Sequence, residues 1–382
     1  MTADAQPFRP VESPDLRGSS ASGAGRALYL NPVGLLDGTA ASAAVDAGIA
    51  VPLAGGPRAF TAVELLVRET AGGATTTVMP VDRLDAWAAE QDAGIAGGLA
   101  ATMASLRAAR EPLAGLPLDR PRLMGIVNVT PDSFSDGGRH AGTEAAVAHG
   151  RALAEAGATV LDVGGESTRP GAEPVPEAEE IARVVPVIEA LAGEGHLVSI
   201  DTRHAAVMEA ALDAGAALVN DVTALAGDPR SLSVVADRGV PVILMHMQGE
   251  PQTMQKDPRY ACAPLDVVDF LAGRIAACEA AGIPRGRIMV DPGIGFGKSV
   301  AHNCQILGRT GLLHGLGCAI LMGVSRKSLI GKLSRDEPAT DRLPGSLAAA
   351  FAGLDRGAQM ARVHDVAETA QFLAVTEAAR PL

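Results

Sequence analysis

Apolar residues along this chain fall into a repeating cycle from Leu123 onward. A short β-branched run gives way to a polar or glycine-rich break, then to a stretch with apolar positions three and four residues apart, and the cycle starts again. The runs predict strands at 123–129, 159–164, 197–201, 217–221, 241–246, 288–292, 319–324 and 359–364. The amphipathic stretches predict helices over Thr143–Ala156, Glu177–Ala192, Ala205–Ala214, Pro264–Ala281 and Val366–Ala379, several ending in a glycine suited to a helix C-terminus. Eight β/α units within residues 122–382 describe an α/β fold, a TIM-type (β/α)8 barrel, which typically needs about 250 residues. An open, doubly wound sheet is the competing arrangement.

The first 120 residues are less regular. Residues 1–26 are rich in Ser, Pro, Gly and Ala without periodicity and read as a flexible N-terminal tail. Apolar runs near 27–30, 49–53 and 63–67 suggest short strands, and Val81–Arg110 has the spacing of one or two Ala-rich helices, so 27–120 reads as a small additional α/β segment. Glu111–Pro121, with prolines at 112, 117 and 121, reads as a linker, and no catalytic constellation precedes it.

Composition narrows the class of function. A formal charge of −12 argues against a general nucleic-acid binder, so an anionic ligand must be met by a local cluster of cations. Cys262, Cys278, Cys304 and Cys318 lack both the CxxC pairing of a zinc site and the density of a disulfide scaffold, as expected of reduced thiols in a cytoplasmic protein. The N-terminus carries acids and prolines where an export signal needs a basic start and an apolar core. The longest apolar runs, such as Pro241–Met245, fall far short of the roughly 18 residues that span a bilayer. A soluble protein without membrane or nucleic-acid partners is therefore expected.

Barrel enzymes draw their functional groups from the C-terminal ends of the strands. Here those ends carry Asn128; Asp162, running into Gly164-Gly-Glu-Ser-Thr-Arg-Pro170; Asp201-Thr202; Asn220-Asp221; His246; Asp291-Pro292; Ser325-Arg-Lys-Ser328; and Arg362 with His364-Asp365. Any one alone reads as a helix cap or turn former, but eight successive polar ends around one mouth describe a site. Arg326, Lys327, Arg362, His364 and Lys298 form a cationic half suited to phosphate or diphosphate. Asp162, Asp201, Asn220 and Asp291 form an acidic half that matches a heterocycle with adjacent amino and ring N–H groups. Hard oxygen ligands suit magnesium, for which Asn128 beside the cationic end is the best single candidate. His246 reads as a positioning or core histidine, and His–Cys zinc spacing is absent. Asp291–Ser299 superficially resembles a phosphate loop, but Pro292 stands where the first glycine of GxxxxGK[ST] is required. It reads instead as a tight loop that brings backbone to the ligand and Phe296 to the mouth.

Together, Asn128–Gly138, Asp162–Gly171, Ser199–Thr202, Asn220-Asp221, Asp291–Lys298, Ser325–Ser328 and Arg362–Asp365 resemble the dihydropteroate synthase family, the pterin-binding barrel enzymes of folate synthesis, across essentially all of 122–382. The resemblance implies a transferase that joins 4-aminobenzoate to 6-hydroxymethyl-7,8-dihydropterin diphosphate, giving 7,8-dihydropteroate and diphosphate. It also implies Mg2+, a cytoplasmic homodimer and a sulfonamide target. By the same resemblance Asp162, Asp201, Asn220, Met245, Asp291 and Lys327 hold the pterin. Asn128, Thr168, Arg362 and His364 bind diphosphate, with Asn128 also a magnesium ligand. Phe134, Thr168, Arg169, Pro170, Lys327 and Ser328 line the aminobenzoate pocket. The catalytic set is Asp136, Asp201, Lys327 and Arg362, in a dissociative substitution under two closing loops that carry Thr130–Gly138 and Ser167–Pro170.

Departures are few. The family often has a lysine two residues after the Asp-Thr pair, where this chain has Arg203-His204, a change tolerable at a helix start. No extra residue stands beside Phe134, where sulfonamide-insensitive relatives carry an insertion. Residues 1–120 lie outside the resemblance and lack a pyrophosphokinase pattern. Two other readings of the barrel are a pterin-binding methyltransferase domain, which has no diphosphate to hold, and a catalytically silent homologue.

Overall fold

A computed structural model describes residues 8–12, 28–69, 72–129, 138–167, 174–250 and 253–380. The N-terminal part comprises β1 (Phe8–Pro10), β2 (Leu28–Asp37), α1 (Gly38–Asp46), β3 (Val51–Pro52), β4 (Arg58–Arg68), β5 (Ala74–Pro80), α2 (Val81–Ala89) and α3 (Ala93–Arg107). Its sheet runs β1-β5-β4-β2, with β3 also paired to β4. Leu30, Phe60, Val63 and Leu65 of the sheet pack on Leu84, Leu99, Met103 and Leu106 of the helices, giving this part its own apolar core. Two elements here escape the hydrophobic pattern. The first half of β5 is Ala-Thr-Thr-Thr, β-branched but not apolar, and α1 is mostly small residues with a weak apolar stripe. The tail also contributes: Phe8–Pro10 pairs in parallel with Ala74–Thr76, and the Arg309 guanidinium lies 3.5 Å from the centre of the Phe8 ring.

The barrel strands are β6 (Arg122–Asn128), β7 (Val160–Gly164), β8 (Val198–Asp201), β9 (Leu218–Asp221), β10 (Val242–Met245), β11 (Ile288–Asp291), β12 (Ala319–Gly323) and β13 (Met360–Val363). All neighbours are parallel, and closure is made by β13 on β6, from Met360 opposite Arg122 to Val363 opposite Gly125. Closure excludes the open doubly wound sheet. Around it lie α4 (Gly138–Glu155), α5 (Glu177–Gly193), α6 (Ala205–Asp213), α7 (Ser231–Arg238), α8 (Ala263–Ala280), α9 (Val300–Gly308), α10 (Ser328–Leu333), α11 (Leu343–Leu354) and α12 (Val366–Ala378).

The linker expected at 111–121 has a different role. Leu113 and Leu118 are buried against Met124, Val160, Leu218, Ile243, Met289 and Met360, so this segment plugs the barrel at the N-terminal ends of its strands. The N-terminal sheet is fastened to the barrel's side by Arg68, which reaches Asp266 at 2.6 Å and Asp269 at 2.8 Å, and by Glu64, which receives Arg309 at 2.9 Å. Among the described residues, no helix is long and apolar enough to cross a membrane.

Candidate active site

The strand ends converge on Arg362, which rises from β13 between two carboxylates. Its Nε donates to Asp162 Oδ2 at 2.6 Å and its Nη2 to Asp201 Oδ2 at 2.7 Å. Asn220, on β9, donates its Nδ2 to the same Asp162 oxygen at 3.0 Å. Asp162 is fully buried, and its Oδ1 has no hydrogen-bond partner among the described residues. A buried carboxylate oxygen without a donor is costly, so its presence at the mouth of a barrel points to a ligand N–H. Burial pushes the Asp201 carboxyl up to about 7, although Arg362 opposes the rise and Asp162 and Asp221 add to it.

Asp291 and Lys327 form a second group. Asp291 Oδ1 accepts from the Gly293 N–H at 2.7 Å, and burial raises its carboxyl despite the nearby Lys327 charge. Burial lowers the Lys327 ammonium to about 8, against the pull of Asp291. Lys327 Nζ donates to the Ile294 carbonyl and lies 4.6 Å from the centre of the Phe296 ring. Gly323 keeps room between the pair: a Cβ there would meet Asp291 Oδ2 at 3.2 Å and Lys327 Nζ at 3.8 Å. Met245 is buried beside Gly293, His364 Nδ1 lies 3.0 Å from Ser325 Oγ, and Ser328 is exposed at the start of α10. Asn128 ends β6, half-buried, opposite Gly164. Phe134, Asp136, Thr168, Arg169 and Pro170 lie outside the described residues.

Several expectations need correction. The two halves are not separate, because Arg362 of the cationic half is locked onto Asp162 and Asp201 of the acidic half. Arg326 pairs with Asp365 through Nε at 2.9 Å, so its charge is neutralised there. Lys298 is 3% exposed and donates to His246 Nδ1 (2.9 Å) and to the carbonyls of Gly293 (2.8 Å), Phe296 (3.0 Å) and His246 (3.2 Å). It staples two loops and offers no charge to an anion. His246 is held neutral by burial and by Lys298, its pKa lowered to about 2, and its ring packs on Phe270 at 4.9 Å. Asp221 is consumed by its own turn, accepting from Thr223 N and Oγ1 (each 2.7 Å) and Leu225 N (3.0 Å).

The glycines of 293–297 also serve loop packing more than ligand approach. A Cβ on Gly293 (φ 63°) would lie 1.9 Å from the His246 carbonyl oxygen, and one on Gly297 (φ 60°) 2.2 Å from that of Gln248. Gly293→Ala is therefore expected to destabilise the fold by about 2–4 kcal/mol, from a left-handed backbone combined with overpacking. Urea unfolding measures this, and a loss below about 0.5 kcal/mol would refute the close packing. Sequence reasoning missed Asn303, buried on α9, whose Oδ1 accepts from Gly295 N at 2.7 Å and whose Nδ2 donates to Ser299 O at 2.8 Å. It sits in a helix, so a search of strand ends passes over it.

The profile of the pterin binding enzyme family matches residues 124–364. The dihydropteroate synthase of Escherichia coli (strain K12) is 46% identical over 264 residues, covering 69% of this chain and 93% of that protein. The chain belongs to the dihydropteroate synthase family. Among solved structures, Xanthomonas albilineans dihydropteroate synthase with 4-aminobenzoic acid is 51% identical, with a TM-score of 0.67 over 72% of this chain and 98% of that one. The same organism's enzyme in complex with 7,8-dihydropteroate is 49% identical, with a TM-score of 0.65 over 72% and 99%. The pterin binding enzyme profile begins within the first barrel strand, so the N-terminal sheet and its helices are additional to it.

Proposed function

We infer that the chain is a dihydropteroate synthase, a transferase that condenses 4-aminobenzoate with 6-hydroxymethyl-7,8-dihydropterin diphosphate to give 7,8-dihydropteroate and diphosphate. The observation that carries this reading is the fully buried Asp162 with Oδ1 unpartnered, set beside Asp201 and Asn220. A pterin presents adjacent amino and ring N–H donors to such acceptors. Asp291 and Lys327 bound the same pocket, with Phe296 and Met245 as its apolar lining. Arg362 supplies a fixed cation where the diphosphate departs, and a preformed charge of this kind stabilises a leaving anion without reorganisation. When the pterin takes up Asp162 and Asp201, part of the guanidinium fork becomes available to the diphosphate. His364 is held by Ser325, and Ser328 opens α10.

Magnesium is part of the proposal. Asn128 offers a neutral oxygen at a half-buried strand end, so it fits a hard cation that takes one protein ligand and substrate oxygens. Bound there, the ion would stabilise charge on the departing diphosphate. The substitution is dissociative in this reading, with the aryl amine attacking after the C–O bond breaks. Family resemblance adds Phe134, Asp136, Thr168, Arg169 and Pro170 to the site and implies a homodimer in the cytoplasm. A methyltransferase domain is disfavoured by the diphosphate-side cation.

Diphosphate release tests the reaction. It should depend on added 4-aminobenzoate and match it mole for mole; release indifferent to the amine would mean hydrolysis instead. The pH profile tests the site. Asp201 must be ionised to accept from the pterin, so kcat/KM should rise with pH through about 7, about tenfold per unit on the acid side. The same shift acts oppositely on stability: a carboxyl raised from 3.8 to about 7 favours the folded state most below its unfolded pKa, and that contribution is lost as pH rises through about 7. A flat kcat/KM across that range would contradict the role of Asp201.

A further inference from the structure

Where β7 ends and α5 and α6 begin lies a cluster that the reaction does not use. Glu166 follows β7, Glu180 lies in the first turns of α5, and His204 precedes α6. One ligand atom from each lies within 4.8 Å of the others. Glu166 is well satisfied: Oε1 accepts from Arg203 Nη2 (3.0 Å) and Val175 N (3.3 Å), and Oε2 from Arg203 Nε (3.1 Å). Glu180 differs. It is fully buried, and neither carboxylate oxygen has a hydrogen-bond partner among the described residues. The Thr202 hydroxyl beside it, which accepts from His204 N at 3.2 Å, makes no aligned hydrogen bond to it. His204 Nε2 is likewise buried without a hydrogen bond, 3.8 Å from Glu166 Oε2.

We propose that Glu166, Glu180 and His204 form a binding site for a divalent transition-metal cation, separate from the strand-end site at Asn128. Two carboxylate oxygens and one imidazole nitrogen are a donor set for Zn2+, Mn2+ or Fe2+. The charge agrees, since Glu166 and Glu180, with Glu177 Oε1 3.7 Å from His204 Nδ1, stand beside the Arg203 guanidinium. The departure at Arg203-His204 falls in this cluster: Arg203 pairs with Glu166, and an imidazole stands two residues after the Asp-Thr pair, where the family often has lysine. A bound ion would tie the end of β7 to the starts of α5 and α6.

The test is titration of full-length protein, stripped with chelator and then dialysed, with Zn2+ and separately with Co2+, read by calorimetry and by the cobalt absorption spectrum. One equivalent should bind with a Kd on the order of 10 µM or tighter. Glu180→Gln and His204→Lys should each weaken binding at least tenfold while circular dichroism shows a folded protein. The lysine variant restores the residue type common in the family, so it keeps the test decisive even if Glu180→Gln misfolds. Asn128→Ala should leave this binding intact. Absence of uptake by the folded wild type would overturn the proposal, leaving a cluster that shares a proton. Equal affinity in His204→Lys would overturn it too, by moving the ion elsewhere.

Discussion

Arg362→Ala is expected to lower kcat/KM by about 10²–10³-fold, the cost of removing one preorganised donor to a developing anion. The loss has a second source. Arg362 is the shared cation of Asp162 and Asp201, and truncating one partner of such a buried cluster leaves uncompensated charge that costs about 3–5 kcal/mol. The variant should therefore unfold at lower urea concentration, and its Asp201 should hold its proton to higher pH. It should also bind a phosphate-free hydroxymethylpterin less tightly, by about tenfold, because the acceptors for the ring are no longer held. Affinity for the diphosphate substrate should fall further than that. Steady-state kinetics with calorimetry on both ligands measures these together. Equal losses for the two ligands would show that Arg362 only positions carboxylates.

Lys327→Ala should cost a comparable factor, about 10²-fold or more in kcat/KM. This ammonium is held over the Phe296 ring and against the Ile294 carbonyl, close to Asp291. Without it Asp291 keeps the Gly293 N–H and the charges of Lys298 and Arg362 but loses the largest opposing charge, so its carboxyl should rise further. Lys327→Arg is not a conservative repair, since a planar fork does not fit the space a compact ammonium occupies between Gly295 and Asp291. Activity in Lys327→Ala within threefold of wild type would remove this residue from the site. The accompanying change in Asp291 is separable, as it moves the pH profile of pterin binding without requiring turnover.

The barrel was legible because parallel strands are buried on both faces and so read as continuous apolar runs with polar ends. Each of the eight strands lies within two residues of its expected bounds. The same logic pointed to Asp162, Asp201, Asn220, Asp291, Lys327 and Arg362, because successive polar strand ends gather around one mouth. It could not say where side chains point. Arg326 turns to Asp365, Lys298 to the loop carbonyls and Asp221 to its own turn, although Arg326 adjoins Lys327 and Asp221 adjoins Asn220. Position along a strand fixes the address of a residue and leaves its rotamer open. Elements without an apolar stripe were missed for a related reason. The threonines of β5 and the small residues of α1 owe their structure to packing against neighbours, a contribution that local pattern does not record.

The most direct test of the account is whether purified full-length protein, given magnesium, 4-aminobenzoate and 6-hydroxymethyl-7,8-dihydropterin diphosphate, forms 7,8-dihydropteroate detectable by mass spectrometry. The account predicts multiple turnovers of product with an equal amount of diphosphate, and a rate at least about a hundredfold lower in Arg362→Ala. No product from folded protein at any magnesium concentration would contradict it.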